Sequence, residues 1–226
     1  MSPSLYETHN QDVDAFVLAG GRSSRMGRDK ALIQLRGRSL VQHALGILRG
    51  AGLQPRIAGG TPDLSSYAAV IADEPGQSGF GPLSGILSAL EHSAASCGLF
   101  LPVDMPLIPV GLISCLIDHA AITRCTINLI SVAGLIQTFP AVIRRSAAPV
   151  FRASLQSNDR KCLKAFQRAS DSASESVSLV PLESLLQAGQ IGRSATPLPA
   201  QWFLNINTPE DLAIAESLLV SRDQVS

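Results

Sequence analysis

Short apolar runs bounded by glycine, proline and polar residues alternate along this chain with stretches whose apolar positions recur every three or four residues. The runs DAFVLA (14–19), QPRIA (54–58), AAVIA (68–72), GLFLPV (98–103), CTINLISVA (125–133) and LIQTFPAVI (135–143) predict strands, with a short extended piece at ALIQL (31–35). Ser39 caps a predicted helix with Leu40, Val41, Ala44, Leu45 and Leu48 on one side and Gly50 or Gly52 at its end. Pro82 opens a second helix carrying Leu83, Ile86, Leu87 and Leu90. Residues 109–120 predict a third, and 146–169 carry helical spacing around the polar break Ser157-Asn158-Asp159. Strands alternating with helices imply an α/β fold: a three-layer, Rossmann-like, mostly parallel sheet.

The last third is less regular. The Ser-rich stretch 170–200, with SDSASES, predicts a mobile or irregular segment with a short strand at SVSLV (176–180). WFLNIN (202–207) predicts a strand, and Thr208, Pro209 and Asp211 then form the start of a helix: N-cap, first position and a T-x-x-D capping pattern. At 226 residues and 46% hydrophobic, the chain supports one packed core. We expect a single domain over 13–221, with a flexible tail at 1–12 and another at 222–226.

Eighteen basic and eighteen acidic residues cancel, which removes the whole-protein electrostatic case for binding nucleic acid or an acidic membrane surface. Cys97, Cys115, Cys125 and Cys162 are widely spaced and form no C-x-x-C pair, so they read as buried thiols of a reducing compartment. The stretch MSPSLYETHNQDVD lacks the basic flank and apolar core of a signal peptide, and no run of about 18 apolar residues follows. These features point to a cytoplasmic protein.

The chemistry must therefore come from local clusters. LAGGRSSRMGRDKA (18–31) sets Arg22, Arg25, Arg28 and Lys30 against Asp29 where the first strand ends. Glycines admit close backbone approach and aim N–H groups inward, while Arg and Lys add charge-assisted bonds to phosphate oxygens. Taken alone the stretch is a polyphosphate loop or a solvated basic turn, and it matches neither the Walker A nor the G-x-G-x-x-G pattern. A second loop, DEPGQSGFGPLSG (73–85), offers backbone at Gly81 and Pro82, with Asp73 as an acceptor for a base or sugar. Asp104 closes the central strand just before Met105-Pro106. A carboxylate there is a turn former, yet opposite a cationic phosphate cradle it is what Mg²⁺ needs, since that ion takes one or two protein oxygens plus phosphates. Alternation puts Asn205 and Asn207 on the same side, so one amide oxygen could reach the metal. His9, His43, His92 and His119 are scattered, and neither G-x-S-x-G nor H-E-x-x-H occurs.

Together, LAGGRSSRMGRDKA, DEPGQSGFGPLSGI, LPVDMP and FLNINTPEDL resemble, in order and spacing from residue 18 to 212, the signature segments of the molybdenum cofactor guanylyltransferases. These are MobA-like members of the nucleotidyltransferase branch of the GT-A-type folds. The related cytidylyltransferases of isoprenoid synthesis favour an A-A-G start and Pro-Lys where this chain has Asp29-Lys30. The resemblance implies that Leu18, Ala19, Gly20 and Gly21 hold the guanine and ribose, Arg25 and Lys30 the phosphates, and Asp73, Gly81 and Pro82 the rest of the nucleotide. Asp104 would bind Mg²⁺ with Asn207 as second metal neighbour, and Arg25, Lys30 and Asp104 would be the catalytic set. It also implies transfer of GMP from GTP to the terminal phosphate of molybdenum-molybdopterin, releasing pyrophosphate, and onward contact with molybdoenzymes or their chaperones. One departure bears on base choice: where family members often carry an Asn after the second strand, this chain has Ala58-Gly59-Gly60. The competing readings are a cytidylyltransferase using CTP on the same or another phosphorylated acceptor, and a nucleotide-binding module without turnover. Residues 157–200 match no family pattern.

Overall fold

Strand β1 (Val13–Leu18) shows how the sheet is buried on both sides: Ala15 and Val17 pack into one apolar cluster, Phe16 and Leu18 into another across the sheet. The structure, a computed structural model, describes residues 12–20, 29–73, 80–191 and 197–223. After β1 come the two-strand ribbon β2 (Gln34–Leu35) and β3 (Arg38–Ser39), helix α1 (Leu40–Gly50), β4 (Arg56–Ala58), β5 (Val70–Ile71), α2 (Pro82–Glu91), β6 (Cys97–Pro102) and α3 (Val110–Thr123). The hairpin β7 (Ile127–Val132) and β8 (Leu135–Arg144) follows, then α4 (Ala148–Gln156), α5 (Cys162–Ser172), β9 (Ser178–Pro181), α6 (Leu182–Gln187) and α7 (Pro209–Asp223).

The main sheet has seven strands in the order β5-β4-β1-β6-β8-β7-β9. Strand β8 runs antiparallel to both β6 and β7; the other pairings are parallel. One face carries α1, α3, α6 and α7, and the other carries α2, α4 and α5, giving three layers. In α1, Leu40, Val41, Leu45 and Leu48 are fully buried, each contributing roughly 1.5–3 kcal/mol by that burial. Such gains exceed the spread of helix propensities, about 1 kcal/mol per residue, so the apolar stripe decides the helix. Its start is fixed by Ser39, whose N–H and hydroxyl both donate to Gln42 Oε1 at 2.8 and 3.0 Å. Gly50 is its last residue, and Gly52 follows at φ 78°.

Three expectations change. The extended piece at 31–35 divides into a 3-10 turn, Lys30–Leu32, and β2. WFLNIN forms no strand: Pro199 opens a 3-10 turn to Phe203, Trp202 Nε1 donates to the Pro197 carbonyl at 3.1 Å, and the residues after it are extended outside the sheet. The stretch 170–200 is more ordered than its serines suggest, because Ala165, Phe166, Ala169 and Ser170 bury one stripe of α5, and Val180, Leu182 and Leu185 bury β9 and α6. Residues 192–196 lie outside the described residues, as do 1–11 and 224–226. No described helix is long and apolar enough to cross a membrane.

Candidate active site

The carboxyl ends of the parallel strands β1, β4, β5 and β6 lie together at one end of the sheet, where open parallel sheets bind their ligands. After the first loop, Asp29 Oδ1 accepts the Ala31 N–H at 3.0 Å and caps the 3-10 turn, and Thr61 donates to its other oxygen at 3.3 Å. Ala31 is buried in the core, so the turn is anchored and Lys30 projects from a fixed base.

Across from it, β6 ends with Pro102, and the Val103 N–H donates to the Leu18 carbonyl at 3.1 Å, tying the exit of β6 to that of β1. Asp104 stands next. Its main-chain carbonyl accepts the Ile206 N–H at 2.9 Å, which brings the NIN segment alongside. Ile206 is buried and Asn205 and Asn207 are exposed, the predicted alternation without a sheet.

Lys30 Nζ lies 2.6 Å from Asp104 Oδ2 and 2.8 Å from Asn207 Oδ1. The two charged side chains are 16% and 20% exposed, so water screens the pair only partly. The second carboxylate oxygen, Asp104 Oδ1, is buried with no hydrogen-bond partner. Asn207 is held by the helix cap: its N–H and that of Thr208 both donate to Asp211 Oδ2 at 2.9 Å, while the Asp211 N–H donates to Thr208 Oγ1 at 3.2 Å. Those donors, Asn207 first, keep the Asp211 carboxyl below the ordinary carboxylate range.

The nucleotide-side residues sort differently. Leu18 and Ala19 bury their side chains in the core and offer only backbone, and the Ala19 N–H already donates to the Ala58 carbonyl at 3.1 Å. Gly20 faces the loop after β4 backbone to backbone: a Cβ on Gly59, at φ 72°, would sit 3.3 Å from the Gly20 Cα and 3.6 Å from Asp73 Oδ1. Gly60, at φ 88°, would place a Cβ 2.8 Å from Leu64 Cδ1. The loop after β4 thus uses this space for main-chain contact.

Asp73 stands beside that contact. Its Oδ1 is buried without a partner, and its Oδ2 is 3.4 Å from the Ser84 hydroxyl, which makes a shorter 2.8 Å bond to the Gly81 carbonyl. A hydroxyl has one proton to donate, so the carboxylate is undersupplied with donors, and burial pushes its pKa up. Gly81, at φ 87°, is the N-cap of α2, and exposed Pro82 takes its first position. Gly21 and Arg25, with Arg22 and Arg28, lie outside the described residues.

The structure thus brings Lys30, Asp104 and Asn207 into direct contact and sets Gly20, Gly59 and Asp73 together next to them along the same sheet end. His43, His92 and His119 instead bond the Leu35 carbonyl, the Ser88 carbonyl and the Ser178 hydroxyl. The four cysteines are free and half-buried, and burial pushes the Cys162 thiol up to about 12. Among the described residues no three His, Cys, Asp or Glu side chains group as a metal site. Sequence reasoning missed Arg160, whose guanidinium lies 3.7 Å over the Phe80 ring, although it directly follows the polar break at Ser157-Asn158-Asp159.

Residues 15–173 match the pattern of the MobA-like NTP transferase domain. The molybdenum cofactor guanylyltransferase of Xanthomonas euvesicatoria pv. vesicatoria (strain 85-10) is 34% identical over 196 residues, 86% of this chain and 89% of that protein. That of Rhizobium meliloti (strain 1021) is 33% identical over 212 residues, 91% of each. The crystal structure of molybdopterin-guanine dinucleotide biosynthesis protein A from Archaeoglobus fulgidus superposes with a TM-score of 0.74 at 23% identity, covering 92% of this chain and 99% of that one. With the fold, these likenesses establish that the chain belongs to the MobA-like NTP transferase family and is a nucleotidyltransferase.

Proposed function

We propose that this protein transfers GMP from GTP to the terminal phosphate of molybdenum-bearing molybdopterin in the cytoplasm, yielding the guanine dinucleotide cofactor and pyrophosphate. The observation that carries the reading is the meeting of Lys30 with Asp104 and Asn207 at 2.6 and 2.8 Å. It joins a cation from the first loop to two oxygens from the far strand and the carboxy-terminal cap.

The nucleoside rests against the glycine backbone at Gly20, Gly59 and Gly60, where no side chain intervenes. Asp73, short of donors, accepts N–H groups of the base or hydroxyls of the ribose. The guanylyltransferase relatives favour guanine. Lys30 exchanges its contact with Asp104 for oxygens of the triphosphate, and Arg25 is the second cation the resemblance implies.

The donor set fits a divalent ion: Asp104 and Asn207 already converge hard oxygens on one cationic centre, and the second Asp104 oxygen has no partner. Asp104 and Asn207 would hold Mg²⁺, which supplies charge neutralisation at the phosphates. An anionic phosphate oxygen of the acceptor attacks the α-phosphorus. The new P–O bond forms as the bond to the β-phosphate bridge oxygen breaks, and pyrophosphate leaves with that electron pair. The attacking group is already ionised, so no side-chain base is needed, and the chain's contribution is positioning and the Lys30 charge.

The test is incubation of the protein with a molybdopterin-type acceptor, Mg²⁺ and each nucleoside triphosphate in turn, following pyrophosphate. Release with GTP is expected. Preferential consumption of CTP overturns the base assignment, and no release with any triphosphate leaves a binding module.

A further inference from the structure

The turn between α4 and α5 reaches the active-site end of the sheet. Strand β8 ends beside the start of β6, with Arg144 opposite Cys97, so α4 sets out from the other end of the molecule. It then packs along α2, pairing Arg152 with Glu91, the last residue of α2. Its own last residues therefore lie toward Pro82, where α2 begins. The turn that follows is pinned: the Asn158 and Asp159 N–H groups donate to the Leu155 and Ser154 carbonyls at 3.0 and 2.9 Å, with Asn158 at φ 58°.

Charge within the turn is divided unequally. Asp159 takes both Lys164 and Arg168, at 2.8 and 2.9 Å, and no described carboxylate pairs with Arg160. The Arg160 guanidinium instead lies over Phe80, the residue before Gly81, whose carbonyl holds the Ser84 hydroxyl beside Asp73. Stacking orients a guanidinium without using its N–H donors, so the fork stays free for a phosphate, a stronger partner than a ring at an exposed site. The triphosphate already has Lys30, whose turn packs into the cluster on the opposite face of the sheet from the one Phe80 packs against.

We infer that Arg160, steadied by Phe80, binds the phosphate of the phosphorylated acceptor substrate and governs its affinity. This rests on the transferase reading above, in which a phosphate monoester is the attacking group.

The test is calorimetric titration of the full chain with the molybdopterin-type acceptor alone and with GTP alone, alongside pyrophosphate release. For Arg160→Gln we expect acceptor affinity to fall on the order of 10- to 100-fold, the range for losing a charge-assisted contact, with GTP affinity and melting temperature unchanged. Arg160→Lys should recover only part, lacking the fork, and Phe80→Leu should weaken the acceptor by less than Arg160→Gln does. Unchanged acceptor affinity in Arg160→Gln overturns the inference whichever triphosphate the wild type consumes, and so does a loss confined to GTP. Acceptor binding that depends on Arg160 in a protein that releases no pyrophosphate supports the inference and overturns the transfer reading alone.

Discussion

Lys30 and Asp104 stand 74 positions apart in the chain and 2.6 Å apart at their charged ends. The contact is made by two unrelated local devices, a capped 3-10 turn after the first loop and the stop of β6 just before Met105-Pro106. In Lys30→Ala the Asp104 carboxylate loses the one cation it meets among the described residues and keeps an oxygen with no partner, a cost of about 1–3 kcal/mol readable in urea denaturation. Pyrophosphate release should fall on the order of 10²- to 10³-fold, the effect of losing one electrostatic donor to the transition state. Wild-type stability in this variant would mean that the pair is not desolvated enough to matter.

Asp104→Ala should abolish the response of nucleotide binding to added Mg²⁺. Titration of the ion at fixed GTP reads this directly, and an unchanged curve would take Asp104 out of the metal site.

Asp73 predicts a dependence on pH. Burial raises its folded-state pKa above the unfolded value, so its contribution favours folding at low pH and is lost as pH rises through the raised value. Above the raised value the ionised, undersupplied carboxylate opposes folding. Asp73→Asn should therefore melt higher than wild type above that value, with the gain shrinking on acidification. Its GTP affinity should fall roughly 10- to 100-fold, because the strong acceptor is gone.

Gly60→Ala should destabilise by about 1–3 kcal/mol, combining positive φ with the 2.8 Å approach to Leu64. Gly37→Ala is its control: φ is 75° there but nothing lies within 4 Å of the added carbon. The difference between the two denaturation midpoints isolates packing from backbone conformation.

The layers were legible because burial repeats locally. Leu83, Ile86, Leu87 and Leu90 predict α2, and Thr208 with Asp211 predicts the start of α7, from spacing alone. Trp202 and Phe203 misled because buried aromatic residues suit a strand or a tight turn equally, and Pro199 with the indole bond chose the turn. The residue types of the site were legible as well, but not the contact between Lys30 and Asn207, 177 positions apart, which depends on how the carboxy-terminal segment folds back. Arg160 was hidden for the same reason: nothing in its neighbours' spacing indicates that α4 will carry it to Phe80.

The reversed direction of β8 gives the sheet a seam. Strands β5, β4, β1 and β6 carry the loops assigned to the triphosphate, while β7, β9 and the turn bearing Arg160 are contributed from beyond the seam. A chimera that exchanges residues 127–187 with those of another member of the fold should then inherit a new recipient for the transferred group while retaining its original nucleotide.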